Sequence, residues 1–445
     1  MLKRKIDDFL ITRKNNKDKN PLIISGARQI GKTTSITNFG GSYSSFIKID
    51  FKSEPKYRSI FKDGYTPLEI IKNISLLNPN FKYIPYDTLI FFDEIQDFPD
   101  ALSCLKFFKE DGKFDVICSG SLLGVTYKLA SFIPVGFKTE YKMDSMDFEE
   151  FLWANGYEPK QIEELYKEIL NLNKLSETTM IAMRDLFKKY IFTGGMPKAV
   201  MTFIKEKNYS NVFPIQDDLY KTYQEDIIQY VDGLDAAKVK NIYTHISSQL
   251  AKLNHKYQIT KLKHGARSRD YIGVSDWLND AGIVLIEYNL DALELPLSAY
   301  ENKDSFRLYY SDHSIFISTL DEESKEDLMQ NENYDIYYGA LYESLVASSL
   351  IKQNFKLYYY TNSDSTIELD FVIRVKNEIV PIEVKRKRGR NKSLRAVLDD
   401  KNNNIIHAIK LSDQNVGYES GIITLPYFAS FLLHKFIKES TLFNR

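Results

Sequence analysis

Residues Gly26-Ala27-Arg28-Gln29-Ile30-Gly31-Lys32-Thr33 fit the pattern G-x-x-x-x-G-K-[ST] without a gap, directly behind the apolar run Pro21-Leu22-Ile23-Ile24-Ser25. No other feature constrains the chain as strongly, because the spacing prescribes both a fold and a chemistry. The apolar run reads as a buried strand. The two glycines let the backbone turn tightly, so the N–H groups of Ala27, Arg28, Gln29 and Ile30 can cradle an anion. Lys32 then reaches the β- and γ-phosphates, and the Thr33 hydroxyl ligates magnesium. Thr34 opens a segment that should be helical, with its N-terminal dipole facing the same phosphates. Four fixed positions behind a strand are too specific for a chance glycine-rich turn.

A second element follows about sixty residues on. Thr88-Leu89-Ile90-Phe91-Phe92-Asp93-Glu94 is an apolar strand ending in two acids. Asp93 is placed to hold magnesium, directly or through water, and Glu94 to orient and deprotonate an attacking water. A third strand, Phe114 to Cys118, ends at Ser119-Gly120-Ser121, where Ser119 or Ser121 could sense the γ-phosphate. Ser45 to Asp50 is a further strand candidate. Strands alternating with helices predict a parallel sheet covered on both faces, with ligands at the carboxyl ends of its strands.

The 445 residues exceed what one core holds, so several domains are expected. A formal net charge of −1 excludes a polycation built to coat nucleic acid, and leaves only local patches for such contact. Two cysteines, Cys104 and Cys118, cannot make a disulfide framework, and a reducing, cytoplasmic setting is expected. The charged start lacks the apolar core of a signal peptide, and no run is long enough for a membrane span. Six scattered histidines show no ligand spacing.

The runs GARQIGKT, LIFFDEIQ, CSGSLLG, PVGF and MDFEEFLWANG, followed by TGGMPKAV, RLYYSDHSIF, GALYESLVASSL and ELDFVI…PIEVK, resemble bacterial and archaeal AAA-type ATPases that carry the domain of unknown function 4143 at their C-terminal end. The resemblance spans nearly the whole chain and implies ATP with Mg2+ at the P-loop. It departs at Phe137, where the family often has a basic residue, and Lys138 is next. No arginine finger is assigned; Arg28 and Arg184 are candidates.

The expected architecture is α/β: a P-loop core over 1–145, a helical lid over 146–225, a winged helix over 226–300, and a restriction-endonuclease-like α/β domain over 301–445. In the lid, Pro197 after Gly194-Gly195-Met196 should start a helix. In the third region, Gln258–Leu262 and Arg269–Leu278 read as paired helices and Ile283–Tyr288 as a returning strand. Lys252, Lys256, Lys261, Lys263, Arg267 and Arg269 form a basic stretch there, opposed by Asp270, Asp276 and Asp280.

The last domain carries acids on neighbouring strands. Ile367 to Ile373 is expected as one strand with Glu368 and Asp370 on one face, and Glu383-Val384-Lys385 presents Glu383 and Lys385 together. Asp370 and Glu383 would clamp magnesium, Lys385 would activate water, and Glu343 would complete the shell from a helix. The basic run Lys385 to Arg395 beside them suits a phosphate backbone, which makes DNA the expected partner. Three functions stay open: a DNA-directed enzyme with a cleaving C-terminal domain, a nucleotide-regulated switch whose C-terminal domain binds without cleaving, and a scaffold ATPase. No membrane partner is expected. A homo-oligomer fits each reading, and the sequence leaves the oligomeric state open.

Overall fold

A computed structural model describes residues 2–121, 136–231, 234–250, 257–258, 271, 273–330, 335–385, 391–400 and 405–443. The chain divides into two compact units, 1–145 with 280–282, and 146–279 with 283–445.

The first unit is a parallel sheet with helices. Its strands are β1 (Leu22–Gly26), β2 (Ser45–Asp50), β3 (Thr88–Asp93), β4 (Asp115–Ser121) and β5 (Thr139–Lys142). The spatial order is β2-β3-β4-β1-β5, and every pairing is parallel. Helices α1 (Lys5–Lys14), α2 (Lys32–Gly40), α3 (Pro67–Leu77) and α4 (Leu105–Asp111) connect or flank them. All six residues of β3 and all seven of β4 are buried, as a sheet covered on both faces requires. Phe51, Phe61, Phe92 and Phe98 pack together beside it, with Phe51 and Phe92 stacked at 5.7 Å between centroids. The order matters for function: β4 lies between the strand before the P-loop and the strand ending in Asp93.

The second unit begins with helices α5 (Phe148–Ala154), α6 (Pro159–Leu170), α7 (Glu177–Thr193), α8 (Pro197–Glu206) and α9 (Val212–Tyr230). Asp147 caps α5 by accepting from the Glu150 N–H at 2.9 Å, and Glu150 accepts from the Asp147 N–H at 3.1 Å. That capping box explains the acids in MDFEEF, and the phenylalanines Phe148 and Phe151 are buried. Pro197 stands in the first turn of α8, as expected.

Then come α10 (Ala236–Leu250), α11 (Val274–Asp280), β6 (Val284–Leu290), β7 (Glu301–Tyr310), α12 (Ser314–Ser318), α13 (Glu322–Gln330) and α14 (Asp335–Lys352). The chain closes with β8 (Tyr358–Thr361), β9 (Glu368–Leu369), β10 (Phe371–Val375), β11 (Glu378–Lys385), α15 (Lys392–Asp399), β12 (Ala408–Ser412), β13 (Gly417–Glu419), β14 (Ile422–Pro426) and α16 (Leu433–Glu439). Two sheets result, β7-β6-β8-β9 and β10-β11-β12-β14-β13.

Three expectations change. The division at residue 300 runs through a sheet, because β6 and β7 pair antiparallel from Val284–Tyr310 to Leu290–Glu301. The strand expected over Ile367–Ile373 is two strands: β9 pairs with β8 and β10 with β11, and Asp370 stands at the break. Glu368 and Asp370 therefore do not share a face; Glu368 is exposed and Asp370 buried. The basic stretch at Lys252, Lys256, Lys261, Lys263, Arg267 and Arg269, with Asp270, lies outside the described residues. So do Arg386, Lys387, Arg388 and Arg390 of the later run.

Candidate nucleotide site

Ala27 begins a loop between β1 and α2 that ends at Gly31, where φ is 97°, a left-handed conformation that costs glycine little. Gly26 is needed for a different reason. A Cβ there would meet the Met143 carbonyl oxygen at 2.2 Å. Gly31 is the N-cap of α2 and supplies no side chain to its free N–H groups, so the helix start faces the loop uncapped. Arg4, 5% exposed, braces the loop by donating from Nη1 to the Ile30 carbonyl at 2.6 Å.

Lys32 is buried, and its ammonium donates to the carbonyls of Gly26 at 2.9 Å and Ala27 at 2.7 Å. Burial pushes its pKa down to about 8, against the pull of Glu94 and Asp93. A buried lysine hydrogen-bonded to neutral carbonyls and an uncapped helix start together fit a phosphate chain.

Asp93 gathers the rest of the site. It is 2% exposed at the end of β3. Thr33 donates its hydroxyl to Oδ2 at 2.9 Å, and the Lys48 ammonium sits 2.9 Å from the same oxygen. Ser119 on β4 donates to Oδ1, and the Glu94 N–H reaches that oxygen at 3.1 Å. Thr33 and Asp93, expected to hold magnesium, are thus in direct contact, and Ser119 joins them. Ser121 has a different role: its backbone N–H donates to Gln96 Oε1 at 3.2 Å. The Gln96 amide in turn donates to the Glu94 carboxylate. Glu94 itself is held at φ 53°, a left-handed conformation costing a non-glycine residue about 1–2 kcal/mol.

Lys48, Gln96 and Arg4 carry no motif and were not expected. The signal for Lys48 was a lysine and an aspartate, Asp50, on a strand beside the acidic one. For Gln96 it was a polar residue two positions after Glu94.

A family model described as an AAA domain matches residues 18–152, and another for the domain of unknown function 4143 matches 338–428. The chain carries both domains. Between them, a model for the domain of unknown function 8612 matches 184–326. No curated protein matches the chain. Among solved structures, it is similar to the Walker-type ATPase of Pyrococcus abyssi at 11% identity, over 72% of this chain and 96% of that one, with a TM-score of 0.42. It is also similar to a signal-transduction ATPase with a tetratricopeptide-repeat sensor from Pyrococcus horikoshii, at 12% identity over 80% and 49% of the two chains, TM-score 0.26. The AAA domain thus holds the P-loop, Asp93, Glu94 and Ser119.

The 4143 domain holds the second candidate cluster. Asp370 accepts from the Val384 N–H at 2.7 Å, and Lys385 Nζ lies 3.1 Å from Glu383 Oε1. Burial first, then the Glu343 charge, push Asp370 up to about 7, while Lys385 opposes them. Arg307, 2% exposed and outside the 4143 match, stands 3.6 Å from Glu287 Oε2 and donates to Glu368. Tyr309 donates to Glu287 at 2.9 Å, and burial raises Glu287 well above the carboxylate range. Nothing in the sequence marked Glu287 or Arg307 as partners of this cluster. Among the described residues no three His, Cys, Asp or Glu side chains are grouped to hold a metal ion. Glu343, Asp370 and Glu383 are therefore not drawn into a three-carboxylate cage; Lys385 supplies the positive charge beside Glu383.

Arg184 donates to the Asp413 carbonyl, both in the second unit. No helix among the described residues is long and apolar enough to cross a membrane.

Proposed function

We propose that this chain is a magnesium-dependent ATPase whose AAA domain hydrolyses ATP, and that its C-terminal domain is a binding module responding to the nucleotide. The observation that carries the reading is the convergence of Thr33, Asp93 and Ser119 beside an uncapped helix and a buried lysine.

Each residue then has a task. The loop N–H groups and Lys32 bind and orient the phosphates, Lys32 exchanging two neutral carbonyls for charged oxygens. Thr33 and Asp93 would hold the magnesium, which would neutralise phosphate charge and polarise the γ-phosphate. Ser119 fixes Asp93 from the neighbouring strand. Glu94 takes the proton of the attacking water, and Gln96 orients its carboxylate.

The test is ATP binding and turnover by the purified protein beside Glu94→Gln. Binding by both proteins, with turnover lost about a hundredfold or more in the variant, supports the ATPase. Equal turnover by the two proteins removes Glu94 from the chemistry.

The alternative is DNA cleavage at Asp370, Glu383 and Lys385 with Glu343, where Lys385 lies 3.1 Å from Glu383. Metal-dependent cleavage that disappears in Asp370→Ala would support it. DNA-stimulated turnover would make DNA the partner, and turnover indifferent to DNA would leave the switch or scaffold reading.

A further inference from the structure

Asp93 has no acceptor capacity to spare. A carboxylate offers about four lone-pair sites. On Oδ1 stand the Ser119 hydroxyl and the Glu94 N–H; on Oδ2 stand the Thr33 hydroxyl and the Lys48 ammonium. A divalent cation that takes Asp93 as a ligand must displace one of the four.

The donors differ in what displacing them costs. The Glu94 N–H is fixed by the backbone. Ser119 is fully buried on β4, where a hydroxyl that loses its partner is costly. The Thr33 hydroxyl can stay, since its oxygen ligates the same ion. Lys48 is the one donor of the four that carries a full charge, and an arriving cation repels it. It also has somewhere to go. Asp50 Oδ2 lies 3.9 Å from Nζ, while Asp50 Oδ1 is held in place by the Lys52 and Ser53 N–H groups at 2.9 and 3.0 Å. The Lys48 backbone is fixed on β2 opposite Phe91, so rotation of a side chain 32% exposed is enough for the transfer.

We propose that Lys48 is a tethered counter-ion for Asp93, a residue that sets how much magnesium the site requires. In the nucleotide-free protein it neutralises a buried carboxylate that would otherwise be costly. When magnesium arrives with nucleotide, the ammonium moves to Asp50. The inference rests on the ATPase reading above.

The experiment is a magnesium titration of fluorescent ATP-analogue binding, read by anisotropy and independent of turnover. In Lys48→Met the half-saturating magnesium concentration should fall about fivefold, the size of one partly exposed ion pair. At saturating magnesium the analogue should bind Lys48→Met no more weakly than wild type, and Lys48→Arg should keep the wild-type requirement. Asp50→Asn should raise the requirement in the wild-type background and have no effect in Lys48→Met. An unchanged or higher requirement in Lys48→Met overturns the counter-ion role. Weaker analogue binding at saturating magnesium overturns it too, by making Lys48 a phosphate ligand. Should Lys48→Met fail to fold, an unchanged requirement in Asp50→Asn overturns the transfer. Absence of analogue binding in every protein at every magnesium concentration removes the ATPase reading itself and this inference with it.

Discussion

Arg4 donates from Nη1 to the carbonyl of Ile30 at 2.6 Å, tying the start of α1 to the middle of the phosphate-binding loop. Its Nη2 reaches the Asp144 carbonyl at 2.8 Å, so one planar fork spans two segments that flank the site. Arg4→Ala should lower stability by about 2–3 kcal/mol, because one buried and one half-buried carbonyl lose charged donors. Arg4→Lys should recover only part of it, since one ammonium lacks the fork. Urea denaturation of the three proteins checks this, and equal midpoints for Arg4→Ala and wild type would refute it.

Lys32 gives the site a pH dependence of defined sign. Its pKa is pushed down to about 8 by burial, so the free site loses the ammonium as pH rises past 8. The phosphates of ATP favour the charged form, so binding above pH 8 takes up a proton and weakens with rising pH. Calorimetry at pH 9 in buffers of different ionisation enthalpy should report uptake approaching one proton, and little at pH 6.5.

Asp115 opens β4 and is 6% exposed. Its Oδ1 meets Arg13 at 2.7 Å and its Oδ2 meets Lys19 at 2.9 Å, with Tyr43 donating a hydroxyl as well. Burial works to raise its pKa, but Arg13, Lys19 and Tyr43 outweigh it and hold the carboxyl below its ordinary range. A depressed carboxyl adds stability above its unfolded pKa of about 3.9, and that stability is lost as pH falls through the lower folded value. Thermal melts between pH 6 and pH 2.5 should fall steeply for wild type and less for Asp115→Asn, the two converging in acid. At pH 7, Arg13→Ala should cost about 2 kcal/mol by removing one charged donor from a carboxylate that Lys19 and Tyr43 still hold.

Asp312 fastens the turn after α7. Its Oδ2 accepts from the Gly195 N–H at 2.9 Å, and its Oδ1 accepts from the Ser314 N–H at 3.0 Å. A Cβ on Gly195 would lie 2.1 Å from the Met146 carbonyl oxygen, and one on Gly194, at φ 72°, would lie 2.2 Å from Ser314 Oγ. Asp312→Ala and Gly195→Ala should each cost at least about 2 kcal/mol, and combining them should cost less than the sum. Additive melting shifts would show that the two residues do not act as one joint.

Where a short segment contains its own physics, the sequence was enough. Gly26 to Thr33 specify strand, turn and helix within one stretch, and the pattern names Lys32 and Thr33 directly. The strand ending in Asp93 was legible from its apolar run, and Pro197 marked a helix start. The C-terminal cluster was less legible. Asp370 sits where one expected strand breaks between two sheets, and pairing with β8 or β11 depends on residues far away. Glu287 and Arg307 meet only because β6 and β7 pair, with Glu287 directly opposite Arg307.

The sequence alone determined that a phosphate-binding loop with its lysine and threonine exists here, and that an acidic strand follows, because backbone turns and strand burial are local demands. Only the tertiary structure decided the company those residues keep. The order β2-β3-β4-β1-β5 inserts β4 beside β3, which brings Ser119 to Asp93, and places β2 on the other side, which brings Lys48. Strand order is set by how buried apolar faces pack across the sheet, and no pattern along one strand records its neighbour.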